Sequence, residues 1–420
     1  MPSFIRDAEI EATIRSYAAP LFTAAGLEAD AVHVYILNQD DLNAFVAGGM
    51  NLFINTGTLM RTESANQLSG IIAHETGHIA GGHLARLQEE LRNARIQSII
   101  ALVLGAGAAA AGGTTGAGAA VAGAGATLTR QSLLAYTRTQ EASADQAGLS
   151  FLDRTGQSAR GMLQVLEMLN GETLRLAGHL DPYLQTHPLT QSRIDAVRDH
   201  VEHSKFSDVP DPPDFVISHK RMRAKLIGFT QPLARVLQQY PESDTGLEAR
   251  YARSIAYYRR PDLKRALPLI DGLIAENPND AFFQELKGQM LFENGRATDA
   301  LRYYDSALRM QPHEPLLRLE LAQVQIEMED AKLNKLALAN LEEVVRTEPH
   351  NSGAWHFLSI AYGRDGQLPM AALALAEAAS ARGNAKQARL QADRAMQQLP
   401  EGSPAWLRAQ DILNEVSTRE

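Results

Sequence analysis

The residues best suited to chemistry sit in one short run, His74-Glu75-Thr76-Gly77-His78, flanked by apolar Ile71, Ile72, Ala73, Ile79 and Ala80. Positions four apart on a helix differ by about 40° in azimuth, so the two imidazoles project together and can grip one divalent ion. Glu75 follows the first imidazole and is placed to take a proton from water activated at that ion. The chain contains no cysteine. Thiol nucleophiles, disulfides and thiolate ligands are therefore excluded together, and a metal must rest on His, Asp or Glu. One Zn²⁺ per chain is expected.

A catalytic zinc needs a third protein ligand and an open position. Gly81 imitates the longer pattern HExxHxxGxxH, but Leu84 stands where its last histidine would be. His83 lies five residues past His78, about 140° round a helix, and reads as a helix-end or supporting residue. The better third ligand is Glu141, in Tyr136-Thr137-Arg138-Thr139-Gln140-Glu141-Ala142-Ser143-Ala144-Asp145. Glu141 and Asp145 share a helical face, so one carboxylate can reach the metal while the other bonds a ligand imidazole or the reacting group. Alone, the segment would read as a solvated acidic face; beside HExxH the metal reading prevails.

Several elements must position these groups. Residues 1 to about 60 mix a short helix with strand signals at Val32–Leu37, Asn43–Ala47 and Asn51–Asn55, the last two joined as a hairpin through Gly48-Gly49. From Gln67 to about Arg95 the spacing of Leu68, Ile71, Ile72, Ile79 and Leu84 predicts a helix. Ile96 to Leu128 carries no charge and is long enough to cross a bilayer. Its apolar weight, however, is confined to Ile99–Leu104, the remainder being nearly all Ala, Gly and Thr, which favours a loop or a flap with peripheral lipid contact. A connector follows at Ser204–Asp214, with three prolines.

Beyond about residue 245 the pattern is helical with an internal period. Pro278 and Pro312 stand 34 residues apart, and Gly288, Gly295, Ala300, Tyr304 and Ala307 fit a tetratricopeptide template of small residues with one bulky filler. Ala266, Ile270 and Leu273 repeat it, as do Trp355, Leu358, Ser359, Tyr362, Gly366, Ala371, Leu375 and Ala378. Pro349 follows Pro312 by 37, so the intervening unit carries three extra residues. About four helix pairs are expected, the last degenerate around Trp406, stacked into a solenoid whose concave face binds protein segments.

A length of 420 residues suggests two or three domains; the boundaries read as 1–230 and 245–420. Hydrophobic residues at 45% and charged residues at 21% describe a globular chain, and a net charge of −9 argues against a nucleic-acid partner. The amino terminus lacks the order of a secretory signal, which fits a cytoplasmic protein or a mature exported one. Absence of cysteine suits an oxidising compartment.

HETGH, the downstream Arg138-x-x-Glu141-x-x-x-Asp145 and Thr186-His187-Pro188-Leu189-Thr190-Gln191-Ser192-Arg193-Ile194 resemble the zinc metallopeptidase family of the CAAX prenyl protease and the heat-shock protease HtpX. Asn43-Ala44-Phe45 and Asn55-Thr56-Gly57 agree with it, and the added repeats make the chain similar to that family's bacterial periplasmic branch. The resemblance implies an α+β zincin-like catalytic domain, mostly helical with a small β-sheet, followed by an all-α solenoid. It implies that His74, His78 and Glu141 bind zinc, that Glu75 is the general base, and that Asp145 donates a proton or supports a ligand. His187 matches a histidine that can fill the open zinc position and hold the enzyme shut, or that stabilises an oxyanion; Arg193 orients it or pairs with a carboxylate.

The expected function is a periplasmic zinc endopeptidase acting on misfolded or stalled envelope proteins in outer-membrane quality control, its strand Asn43–Ala47 pairing with extended substrate. Its repeats would recruit a client or the outer-membrane assembly machinery. The competing expectations are a latent protease serving mainly as a chaperone-like scaffold and an integral membrane protease.

Overall fold

The computed structural model describes residues 3–83, 138–175 and 187–417. Two compact units divide it, Met1–Ile227 and Gly228–Glu420. Segment 96–128, with its expected lipid contact, lies outside the described residues. Among the described residues no helix is long and apolar enough to cross a membrane.

The first unit is built on four strands, β1 (Phe4–Ile5), β2 (His33–Leu37), β3 (Ala44–Ala47) and β4 (Asn51–Asn55), in the order β1-β2-β4-β3. β3 and β4 form the expected hairpin, with Ala44 opposite Ile54 and Ala47 opposite Asn51. Its turn needs glycine, since Gly48 and Gly49 have φ of +58° and +96°. Strand β2 lies parallel to β4 and antiparallel to β1, pairings that hairpin signals do not disclose. Among the described residues β3 is thereby left as an edge strand.

Alternation sends Ile36, Leu52, Ile54, Ala44 and Val46 inward to a core shared with α1 (Ala8–Ala24) and α3 (Ala65–Ala80). Between β4 and α3 lies the short α2 (Thr56–Arg61), whose Thr58 hydroxyl donates to the Asn43 carbonyl. Ser64 caps α3 by accepting from the Gln67 amide. The helix expected from Gln67 to about Arg95 is broken after Ala80, where Gly81 caps α3 and Gly82, at φ +60°, turns the chain; residues 84–95 of that expectation lie outside the described residues. Residues 138–154 form α4, followed by α5 (Arg160–Arg175), α6 (Gln191–His203) and α7 (Pro213–Thr230). The proline-rich stretch from Ser204 is tied down: the Ser207 carbonyl accepts from Ser158 and Arg160, and Asp211 accepts from the Asn66 amide.

The second unit is all helical among its described residues. Five antiparallel pairs stack in sequence, beginning with Leu247–Tyr258 and Leu263–Glu276 and closing with Ala385–Met396 and Pro404–Ser417. Five replaces the expected four, since the degenerate end around Trp406 completes a pair of its own; its period is blurred because Ala388, Ala392 and Ala395 fill the interface instead of larger template residues. The three extra residues before Pro349 lengthen one helix, Ala331–Thr347, to 17 residues against 14 for Leu263–Glu276 and Ala297–Met310. A Cβ on Gly288 would stand 3.0 Å from the Tyr304 ring, so small residue and bulky filler meet as the template requires.

Candidate active site

Each half of the site is delivered by one close helix approach. A Cβ on Gly77 would come within 2.6 Å of the Ala144 carbonyl, and one on Gly148 within 3.1 Å of Ala73. These glycines let α3 and α4 pack backbone against backbone, which aims Glu141 and Asp145 at the histidines of α3. Thr190 caps α6 by accepting from the Arg193 amide, fixing the start of the helix that carries Arg193.

His74, His78, Glu141 and His187 converge and are all buried. His74 Nε2 lies 3.1 Å from His78 Nε2, 3.3 Å from His187 Nδ1 and 3.4 Å from Glu141 Oε2. Glu141 is 3.2 Å from both His78 Nε2 and His187 Nδ1. A tetrahedral ion with bonds of ~2.0–2.1 Å separates its ligands by roughly 3.3 Å, so the four donors fit one such ion.

The outer nitrogens support the same reading. His74 Nδ1 donates to Asp145 Oδ1 at 2.9 Å, His78 Nδ1 meets His83 Nδ1 at 3.0 Å, and His187 Nε2 donates to the Ala44 carbonyl at 3.2 Å. A neutral imidazole that gives away one N–H offers a lone pair on its other nitrogen. All three rings thus turn a lone pair toward a common point.

The donors are also strongly coupled electrostatically. Burial opposes a charge on His74, yet the Asp145 and Glu141 carboxylates push its pKa up to about 10. Burial would raise Glu141, but His187, His74 and His78 hold it far below the usual carboxylate range. Burial lowers His78, and the neighbouring His74 charge adds to the effect. The two carboxylates thus favour positive charge beside His74.

Glu75 is fully buried, and neither carboxylate oxygen has a hydrogen-bond partner among the described residues. The nearest cationic candidate is His187 Nε2, 3.4 Å from Oε1. Buried carboxylates normally accept hydrogen bonds, and the Glu75 oxygens are open to one.

Comparison with known proteins agrees. Residues 5–201 match Peptidase family M48, and residues 251–315 and 285–334 match a tetratricopeptide repeat. Residues 5–201 form a family M48 peptidase domain. The chain is 25% identical to the beta-barrel assembly-enhancing protease of Yersinia pestis, over 85% of this chain and 73% of that protein. It is also 25% identical to the protein of that name from Escherichia coli strain K12, over 76% of this chain and 65% of the relative. A solved tetratricopeptide protein, YrrB, described as having an unusual peptide-binding site, is 17% identical, covering 42% of this chain and 91% of its own at a TM-score of 0.35.

The chain is a metalloprotease, and membership of its catalytic domain in M48 implies a divalent metal. Within this M48 domain, Asp145 stands behind His74. Arg193 Nε and Nη2 hold its two oxygens at 2.6 and 2.9 Å, while Arg193 Nη1 reaches Glu141 at 3.0 Å. Asp145 therefore faces His74 and not the centre of the donor set. Asn43, Ala44 and Phe45 run along the edge of the sheet beside His187. His83, five residues past His78, packs its ring on Gly81, where a Cβ would stand 2.4 Å from its Nε2. Gly77 and Gly148 escape sequence reasoning, because glycine within a helix signals nothing until the neighbouring backbone is known.

Proposed function

We propose that the chain is a zinc endopeptidase of the periplasm that cuts misfolded or stalled envelope proteins, with zinc on His74, His78 and Glu141 and with His187 closing the site at rest. The observation that carries this reading is the pairing of a complete four-donor set with a buried Glu75 whose carboxylate oxygens accept no hydrogen bond among the described residues. When bound, zinc supplies a Lewis acid that polarises the scissile carbonyl and makes bound water acidic.

The chain's own residues do the rest. Glu75 accepts the proton of the attacking water and can pass it to the leaving amine, so no covalent intermediate is needed. Asp145 holds His74 with its Nε2 lone pair forward, and Arg193 fixes Asp145 and Glu141 together. His187 occupies the fourth donor position with Nδ1 while its Nε2 takes the Ala44 carbonyl. A closed four-ligand set leaves no place for substrate or water, and Ala44 is on the strand where an extended substrate would pair. Release of His187 thus frees both positions together.

The two relatives are named for enhancing β-barrel assembly; by likeness, this chain serves outer-membrane quality control, with its repeats recruiting client or machinery. The test is cleavage of an unfolded protein such as casein. His187→Ala is expected to cut it faster than wild type, while Glu75→Gln, with metal content intact, loses about a thousandfold. Equal rates for Glu75→Gln and wild type would leave a scaffold whose peptidase is idle.

A further inference from the structure

Every strand of the sheet places one aromatic ring on its outer face. Phe4 of β1, Tyr35 of β2, Phe53 of β4 and Phe45 of β3 make a single row in the spatial order of the strands. Successive ring centroids stand 5.8, 5.1 and 5.1 Å apart, and the last two pairs are stacked at 18° and 15°. Sheets with one solvated face normally carry polar residues there. Here Phe4 is 58% exposed and Tyr35 37% exposed, at the end of the row away from β3.

The row ends at Phe45, on the edge strand. Asn55 donates to the Asn43 carbonyl, so in antiparallel register the residues that bond β4 are Asn43, Phe45 and Ala47. The backbone groups of Ala44 and Val46 face the outer edge, which agrees with His187 sitting on the Ala44 carbonyl. A strand added there lies about 4.8 Å from β3, close to the spacing of the rings in the row. Its residue opposite Ala44 points inward, and the adjacent residue opposite Phe45 points onto the aromatic face.

We infer that Phe45 and the rings behind it form a specificity subsite for an aromatic side chain of the extended substrate, one residue away from the position opposite Ala44. This inference rests on the proposed strand pairing and adds the class of residue recognised. Phe45 offers its ring to a cross-strand aromatic partner, and such pairs are worth more than their buried area alone. Phe53 and Tyr35, stacked behind, hold the Phe45 ring in place. A peptidase so equipped reads the backbone for extension and one ring for exposed core sequence, a combination that folded proteins hide.

The test uses the full chain carrying His187→Ala, zinc-loaded, and a polar host peptide in which Phe, Leu or Ala is placed at successive positions around the cut bond. Both kcat/KM and competition against cleavage of unfolded protein are read, so that a peptide bound but uncut still reports. One position is expected to favour Phe over Ala by about tenfold, with Leu between. Phe45→Val should shrink that ratio to about twofold or less, and Tyr35→Ser should reduce it partway. No position favouring Phe by more than twofold in either readout, or a ratio untouched by Phe45→Val, overturns the subsite. Failure of the protease reading is distinct: it appears as Glu75→Gln cutting the same peptides as fast as its parent.

Discussion

The two units are held together in opposite ways. In the first, the contacts that matter join residues far apart in sequence: His74 to Asp145, His187 to Ala44, Arg193 to Asp145, and buried Lys225 to Asp7 at 2.8 Å. In the second they join neighbours. Tyr304 fills against Gly288, Tyr362 bonds Glu342, and Arg408 pairs with Glu377 in the preceding pair. A unit of the first kind must form as a whole before these polar groups are satisfied, whereas a stack of the second kind adds stability pair by pair. Loss of one buried polar residue should therefore reach across the first unit, while loss of fit in the second should stay local.

The sharpest break of that contrast is Arg193→Met in metal-free protein. Arg193 is buried and forks onto two buried carboxylates, so its removal leaves charges unpaired and costs about 3–5 kcal/mol. The transition of the first unit should fall by roughly 10 °C in calorimetry, while that of the repeats stays in place. Joint movement of both transitions would mean the units do not differ as described.

Acid should separate them next. His219 is buried with Nε2 donating to the Thr62 carbonyl. Burial, aided by the Arg223 charge, pushes its pKa down to about 4 against an ordinary 6.5. The native state keeps this ring neutral, so below pH 6.5 the unfolded chain binds the extra proton and stability falls, levelling off below pH 4. The full effect is about 3 kcal/mol. Denaturant titrations of wild type and His219→Gln across pH 7 to 4 should differ in slope for the first unit, with the variant the flatter. Identical slopes would remove His219 as the cause.

The same contrast explains what could be read from sequence. The repeats are legible because positions recur after 34 residues, with one unit of 37, and only the end built on Ala388, Ala392 and Ala395 blurs the count. HExxH was legible because a helix fixes the relation of His74 to His78, and Glu141 with Asp145 because they share one face. The pairing of β2 with β4 and the glycine contacts that seat α4 on α3 depend on chain crossings that no local pattern encodes.

His83 gives a smaller effect on the site itself. Its Nδ1 meets His78 Nδ1 and so sets which nitrogen of His78 faces the donor set. Loss of such an outer partner weakens metal binding about 10–100-fold. Competition with a chelator should show His83→Ala releasing metal at correspondingly lower chelator, with His83→Gln restoring part of the affinity because an amide can replace the bond. If Ala and Gln behave alike, His83 only fills space.

The smallest expected change lies in the repeats. Gly288→Ala places a methyl group 3.0 Å from the ring carbons Cδ2 and Cε2 of Tyr304, tighter than ordinary packing allows. Alanine favours the helix Ala281–Phe292 by about 1 kcal/mol over glycine, while crowding a packed contact costs about 1–3 kcal/mol. The net is a loss of about 1 kcal/mol, because Tyr304 must tilt and disturb the Leu321 and Val324 contacts it shares with the next pair. Hydrogen exchange should rise over Ala281–Glu327 alone, and casein cleavage by the M48 domain should not change. A slowed cleavage would show that the stack communicates with the peptidase beyond its own nearest-neighbour contacts.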